Sequence, residues 1–186
     1  EARTLGTAPG AGKMSEPMIR LSRVMRALGR VPSSNPPLLG RYFMWNALDE
    51  LGQWPMQPPT VFNFFTPSYA PPGPVLDAGL VAPEFEITTE LTATDTANYF
   101  FEGVTNGFYT DAGGRITLDL TPLTSLWSTP DALLAKMEVL LLGRPMSASL
   151  RSSLMNLHSL HSANATNGVR VMLQLLSASP EFVMEK

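Results

Sequence analysis

At 186 residues, with 44% hydrophobic residues and a net charge of −3, the chain is long enough to bury a core as one domain or as two small ones. It contains no cysteine, which excludes disulfides, thiolate nucleophiles and Cys-ligated zinc or iron–sulfur sites, and its two histidines, His158 and His161, leave little room for an all-His metal centre or a Ser-His-Asp triad. No stretch approaches the roughly 20 uninterrupted apolar residues of a membrane-spanning helix; the longest candidate, Val139 to Leu142, is far too short.

Charge is unevenly distributed. Residues 1–41 carry seven Lys/Arg and two Asp/Glu, whereas residues 42–114 carry nine Asp/Glu and no Lys or Arg. Phosphate binding needs cationic side chains, so the acidic middle argues against a nucleic-acid groove there. Packing of the basic first helix near the acidic segment is the plain expectation, and a site for a cation such as calcium is the sharper one. The start, Glu1 to Gly6, lacks an initiator Met and the basic-then-apolar layout of a signal peptide, so the chain reads as beginning within something longer, with a leader or whole domains upstream.

Residues 1–13 form a loose Gly/Ala/Thr lead-in, and residues 14–186 the helical portion proper. Met14, Met18, Leu21, Val24, Met25 and Leu28 recur at helical spacing, with Arg20, Arg23, Arg26 and Arg30 on other faces. Ser15 is the expected cap of this helix and Gly29 its stop. A second helical run covers Leu38 to Leu51 and ends at Gly52.

Residues 52–83 are the most distinctive stretch. Eleven of the seventeen prolines lie between Pro32 and Pro83, which forbids long helices and deprives sheets of their ladder bonds. The same stretch holds Val61 and the rings of Trp54, Phe62, Phe64, Phe65 and Tyr69, a concentration of aromatics foreign to disordered linkers. It is expected to be an ordered loop whose rings dock into the helical core.

A third helix is expected from a cap at Thr88 or Thr89 through Leu91, Tyr99, Phe100 and Val104, followed by an Asp111 to Gly114 turn and a short extended run at Ile116, Leu118 and Leu120. The fourth has Thr129 as cap, Pro130 at its first position, a Leu133–Leu141 stripe and Gly143 as its stop. Ser147 is expected to cap a fifth helix and Asn167 a sixth. The fold class is therefore all-α, an irregular bundle of about six helices with a long ordered Pro/aromatic loop across it.

Particular strings carry a resemblance. Gly52-Gln53-x-Pro55-x-x-Pro58-Pro59-x-Val61-Phe62-Asn63-Phe64-Phe65-x-Pro67-x-Tyr69-x-Pro71-Pro72-Gly73 is followed by Pro83-Glu84-Phe85-x-Ile87 and by Ala178-Ser179-Pro180-Glu181-Phe182, after Glu16-Pro17 and Arg26-Ala27-Leu28-Gly29. Together they resemble the C-terminal portion of the bacterial domain-of-unknown-function 1800 family, from about Lys13 onward. The resemblance implies an exported, largely helical protein, often encoded beside a sulfatase-like family, with no activity to carry over. It also implies an N-terminal portion with its own aromatic and His-bearing motif, which this sequence does not include.

Few residues invite chemistry. Asn63, set among rings, needs hydrogen-bond partners; it either fastens the loop or presents an amide to a ligand. Glu86 and Glu90 stand four apart, repel if they share a helical face, and are neutralised by a nearby helix N-terminus or by Arg20 and Arg23, or else form a calcium or paired-carboxylate site. Trp54, Phe62, Phe65 and Tyr69 pack in the core or form a sugar-stacking platform. His158 and His161 suit a surface or half-buried place better than a metal site, the ten methionines read as core, and the Asn164-Ala165-Thr166 sequon reads as chance.

The resulting functional expectation is a non-catalytic scaffold or binding portion of an exported protein, periplasmic, cell-surface or secreted. Its partner is the remainder of its own precursor chain or another protein, with neither nucleic acid nor a membrane span involved. The alternative is a hydrolase of an extracellular carbohydrate or related polymer, using Glu86, Glu90 or Asn63 in a cleft completed by an N-terminal part. Attachment of the first helix to a membrane surface is a third class, which requires an exposed apolar face at Met18, Leu21 and Met25.

Overall fold

Amphipathic stripes three and four residues apart give the chain its helices, and one of them lies at the centre of the packing. The computed structural model describes residues 12–29, 50–54, 56–109 and 115–185. In chain order these form β1 (Lys13–Met14), α1 (Pro17–Leu28), the one-turn α2 (Pro74–Asp77), a 3-10 turn (Pro83–Glu86), α3 (Glu90–Asn106), β2 (Phe108–Tyr109) and β3 (Arg115–Ile116). There follow α4 (Thr121–Thr124), α5 (Pro130–Met137), a π-helical turn (Glu138–Leu142), α6 (Ala148–Leu160), α7 (Ala165–Ala178), α8 (Pro180–Val183) and β4 (Met184–Glu185). The expected second helix, apart from Glu50 and Leu51, and the Asp111 to Gly114 turn lie outside the described residues.

The fold is mostly helical, with eight α-helices among the described residues, but it is not purely α. Two short antiparallel ladders join β1 to β4 and β2 to β3. Lys13 pairs with Glu185 and Met14 with Met184, so the start of the described chain is held against its end. Two-residue strands show no period-2 pattern, and only tertiary contact brings β1 to β4.

The helix α7 packs against both α3 and α6. Its Val169, Met172, Leu173 and Leu176 share one buried cluster with Leu154 of α6 and with Leu133, Leu134 and Met137 of α5. At the other side of that cluster Tyr99, Phe100, Phe108 and Phe182 meet with centroids 5.3–6.5 Å apart, in tilted and edge-to-face pairs that suit the quadrupoles of the rings. Burying a ring of this kind is worth about 1.5–3 kcal/mol. Two glycines permit this packing: a Cβ at Gly103 would lie 2.0 Å from the Phe108 ring, and one at Gly168 2.1 Å from Trp127.

Several caps differ from expectation. Glu16, not Ser15, occupies the N-cap of α1 and gives no side-chain bond; buried Ser15 instead accepts from Arg23. Thr129 sits at the N-cap of α5, yet its hydroxyl donates backward to the Leu126 carbonyl. Asn164, not Asn167, caps α7, its side chain accepting from the Asn167 N–H at 3.0 Å. Thr89 caps α3 as expected, in a reciprocal box with Thr92, and Ser147 caps α6. Gly143 closes the π turn in the left-handed region at φ 66°, its N–H reaching the Glu138 carbonyl five residues back.

The face of α1 needed for membrane attachment is not free. Leu21 is buried, and Met18 and Met25 are half-buried and pack on the core. Substituting Gly103→Ala should cost about 1–3 kcal/mol, because the Phe108 ring has to move off a well-packed rotamer; urea unfolding of the wild type and variant measures it.

Candidate functional site

The prolines of the segment from residue 52 to 83 leave it no helix longer than the one-turn α2 among the described residues, so it is held by bonds to the rest of the fold and by small turns. At its root, Leu51 is fully buried and Gly52 turns the chain at φ 65°. Buried Gln53 then bridges to α1: its Oε1 accepts from the Met18 N–H at 3.2 Å, and its Nε2 donates to the Glu16 carboxylate. The amide thus satisfies one of the unpaired N–H groups that every helix start leaves over, a cap delivered from 35 residues away.

The far end is fastened to β1 and to itself. Buried Glu84 pairs with Lys13 at 3.1 Å, and the Thr88 hydroxyl donates to the Glu84 carbonyl at 2.9 Å. Glu86 accepts from both the backbone N–H and the hydroxyl of Thr66, and the Ala82 N–H donates to the Tyr69 carbonyl at 2.8 Å.

Between these ends the loop carries a tight turn. The Asn63 N–H donates to the Thr60 carbonyl at 3.3 Å, while the Thr60 hydroxyl accepts from the Phe62 N–H and donates to the Asn63 carbonyl. Asn63 lies at φ 93°, a region Asn tolerates better than most residues. Val61 and Phe62 occupy the two central positions of the turn. They point away from the chain and are 93% and 83% exposed. Met56 is exposed beside them in sequence, and Leu76, Leu80 and Val81 are exposed farther along.

The expectation that the rings dock in the core is thereby corrected. Among the described residues, the buried cluster includes none of Trp54, Phe62, Phe64, Phe65 and Tyr69; Phe62 projects into solvent and the other four are half-buried. Apolar composition signals that a segment has rings to bury, but the turn geometry decides where they point. Asn63 is exposed and fastens the loop through its backbone rather than from among buried rings.

The other candidates separate as well. Glu86 ends the 3-10 turn and Glu90 begins α3, so no single helix places them on one face. Nor do Arg20 and Arg23 neutralise them: Arg23 pairs with Glu185, and among the described residues the cations paired with the acidic segment are Lys13, on Glu84, and Arg115, on Glu102. Glu90 is exposed at the start of α3. Among the described residues no group of three or more His, Asp or Glu gathers into a metal site.

Both histidines are half-buried. The His158 ring stacks on Trp127 at 4.2 Å between centroids with its Nε2 2.8 Å from the Trp127 carbonyl, and His161 meets Asn167. Gln53, a latch that sequence reasoning missed, stands inside the quoted Gly52-Gln53 string, but nothing local marks it as a cap for a helix behind it.

The chain is thus mostly helical, with a proline-stiffened loop that turns Val61 and Phe62 outward. The family described as "Protein of unknown function (DUF1800)" matches residues 1–184, and the chain belongs to it. No curated protein matches the chain. No solved structure matches it either. Among the described residues no helix is long and apolar enough to cross a membrane.

Gln53→Ala removes the remote cap and one partner of Glu16. It should lower stability by about 1–2 kcal/mol and speed hydrogen exchange at the Met18 amide, an outcome read by urea unfolding and amide exchange; an unchanged Met18 amide would contradict the latch.

Proposed function

We propose that this chain is a C-terminal helical scaffold or binding portion of an exported bacterial protein, and that it works by assembling with the remainder of its own precursor through the 52–83 loop. The observation that carries the reading is the Val61-Phe62 tip: two apolar side chains held out in solvent by a hydrogen-bonded turn whose flanks are latched to the fold. Exposing an aromatic ring costs free energy that a partner surface recovers, and an aromatic already fixed in place loses little conformational entropy on docking. The absence of cysteine from the sequence suits an oxidising compartment. Fractionation of the native host tests export, with recovery solely in the cytoplasm as the contrary result.

The hydrolase reading draws less support. Glu86 is engaged in holding Thr66, Asn63 is engaged in a turn, and Glu90 lies on a separate element.

Phe62→Asp tests assembly. Co-expressed with the upstream region of its precursor, the chain should co-purify with it, and the variant should bind at least about 30-fold more weakly, as expected for a central aromatic anchor. Its own unfolding free energy should stay within about 0.5 kcal/mol of wild type, because the ring is 83% exposed. Equal binding by variant and wild type, or no complex in either case, would contradict the reading.

A further inference from the structure

Arg20 and Arg23 lie one turn apart on α1 and have opposite fates. Arg23 is fully used: its guanidinium donates to the Glu185 carboxylate, the Phe182 carbonyl and the Ser15 hydroxyl, and lies 5.4 Å from the centroid of the Phe182 ring. Arg144, nearby on the chain's C-terminal side, likewise donates to the Glu181 and Met184 carbonyls. Arg20 is only 6% exposed, on the face of α1 that also buries Pro17, Leu21, Val24 and Leu28, and no side-chain acceptor meets it among the described residues. Its Nε is sealed from solvent without a partner.

The carboxylates around the same end of the helix are committed elsewhere. Glu16 receives Gln53, Glu84 receives Lys13 and Glu185 receives Arg23. Burial, and then repulsion from Arg23, draws the Arg20 pKa down to about 10. The unpartnered Nε of Arg170 is a weaker case, because that side chain is half-buried.

A guanidinium is costly to bury unpaired, and its Nε edge is built to meet two oxygens of one oxyanion at once. We propose that Arg20 is an oxyanion-binding residue: the Nε edge of its fork receives a carboxylate or phosphate group brought by a ligand or partner to the buried face of α1. Arg23, held by three acceptors, adds a second positive charge one turn away without competing for the role.

Thermal unfolding of the chain in sodium phosphate, sodium acetate and sodium chloride at matched ionic strength tests this. Phosphate or acetate should raise the Tm above its value in chloride, by about 3–6 °C for each tenfold increase past saturation. A larger response to phosphate identifies a phosphoryl ligand and a larger response to acetate a carboxylate; either supports the assignment. Arg20→Met should abolish the increment and unfold at a higher temperature than wild type in chloride, because an unpaired buried charge is gone. Arg20→Lys should fold and retain less than a third of the increment, since it keeps the charge and loses the fork.

Asp49→Asn removes the sole acidic side chain between residues 30 and 49 and should leave the response unchanged. The proposal is overturned if neither oxyanion exceeds chloride on the wild type, if the increment persists in Arg20→Met, or if it appears only in Asp49→Asn.

Discussion

The Gln53 carboxamide ties the root of a proline-rich loop to the first turn of α1, and the arrangement of the candidate site depends on that bond. A chain segment with this many prolines lacks some of its amide protons and has little regular structure in which to place its carbonyls. Its conformation must be imposed from its ends. Gln53 fixes one end, and the Lys13–Glu84 pair with the Glu86–Thr66 contacts fixes the other. The Lys13 side chain is largely exposed whereas Glu84 is buried, so this pair acts less as a source of stability than as the answer to a buried carboxylate.

With both ends held, the interior of the loop closes on itself through local turns, and the Thr60–Asn63 turn sets the direction of Val61 and Phe62. The contrast with the core is instructive. Phe100, Phe108 and Phe182 arrive on elements whose neighbours are helices, and they are buried; Phe62 arrives at the centre of a tight turn, where a side chain has nothing above it. The same residue type therefore serves packing in one place and presentation in the other.

Much of the helical framework was legible in the sequence, because stripes such as Leu133, Leu134, Met137 and Leu141 and stops such as Gly143 are local signals. Family membership was legible in the ordered Pro/aromatic strings. What was not legible depended on distance. The β1–β4 ladder joins residues at opposite ends of the described chain, Gln53 caps a helix that precedes it by 35 residues, and Arg23 takes two of its three acceptors from α8 and β4. Caps failed where two polar residues competed: Asn164 and Asn167 both suit an N-cap, and the side chain that accepts is the one that precedes the helix. Glu86 and Glu90 share no helical face because the chain between them, Ile87 to Thr89, precedes the start of α3.

The cysteine-free sequence makes the central claim, a latched loop with an outward tip, directly measurable. Phe62→Cys with Ser152→Cys on α6 provides two unique thiols for spin labels, and the distance distribution between them is read by pulsed electron resonance. The account predicts rapid labelling at position 62 together with a single narrow distance distribution. A broad distribution extending over tens of ångströms, or a thiol at 62 that resists labelling in the folded chain, would contradict it.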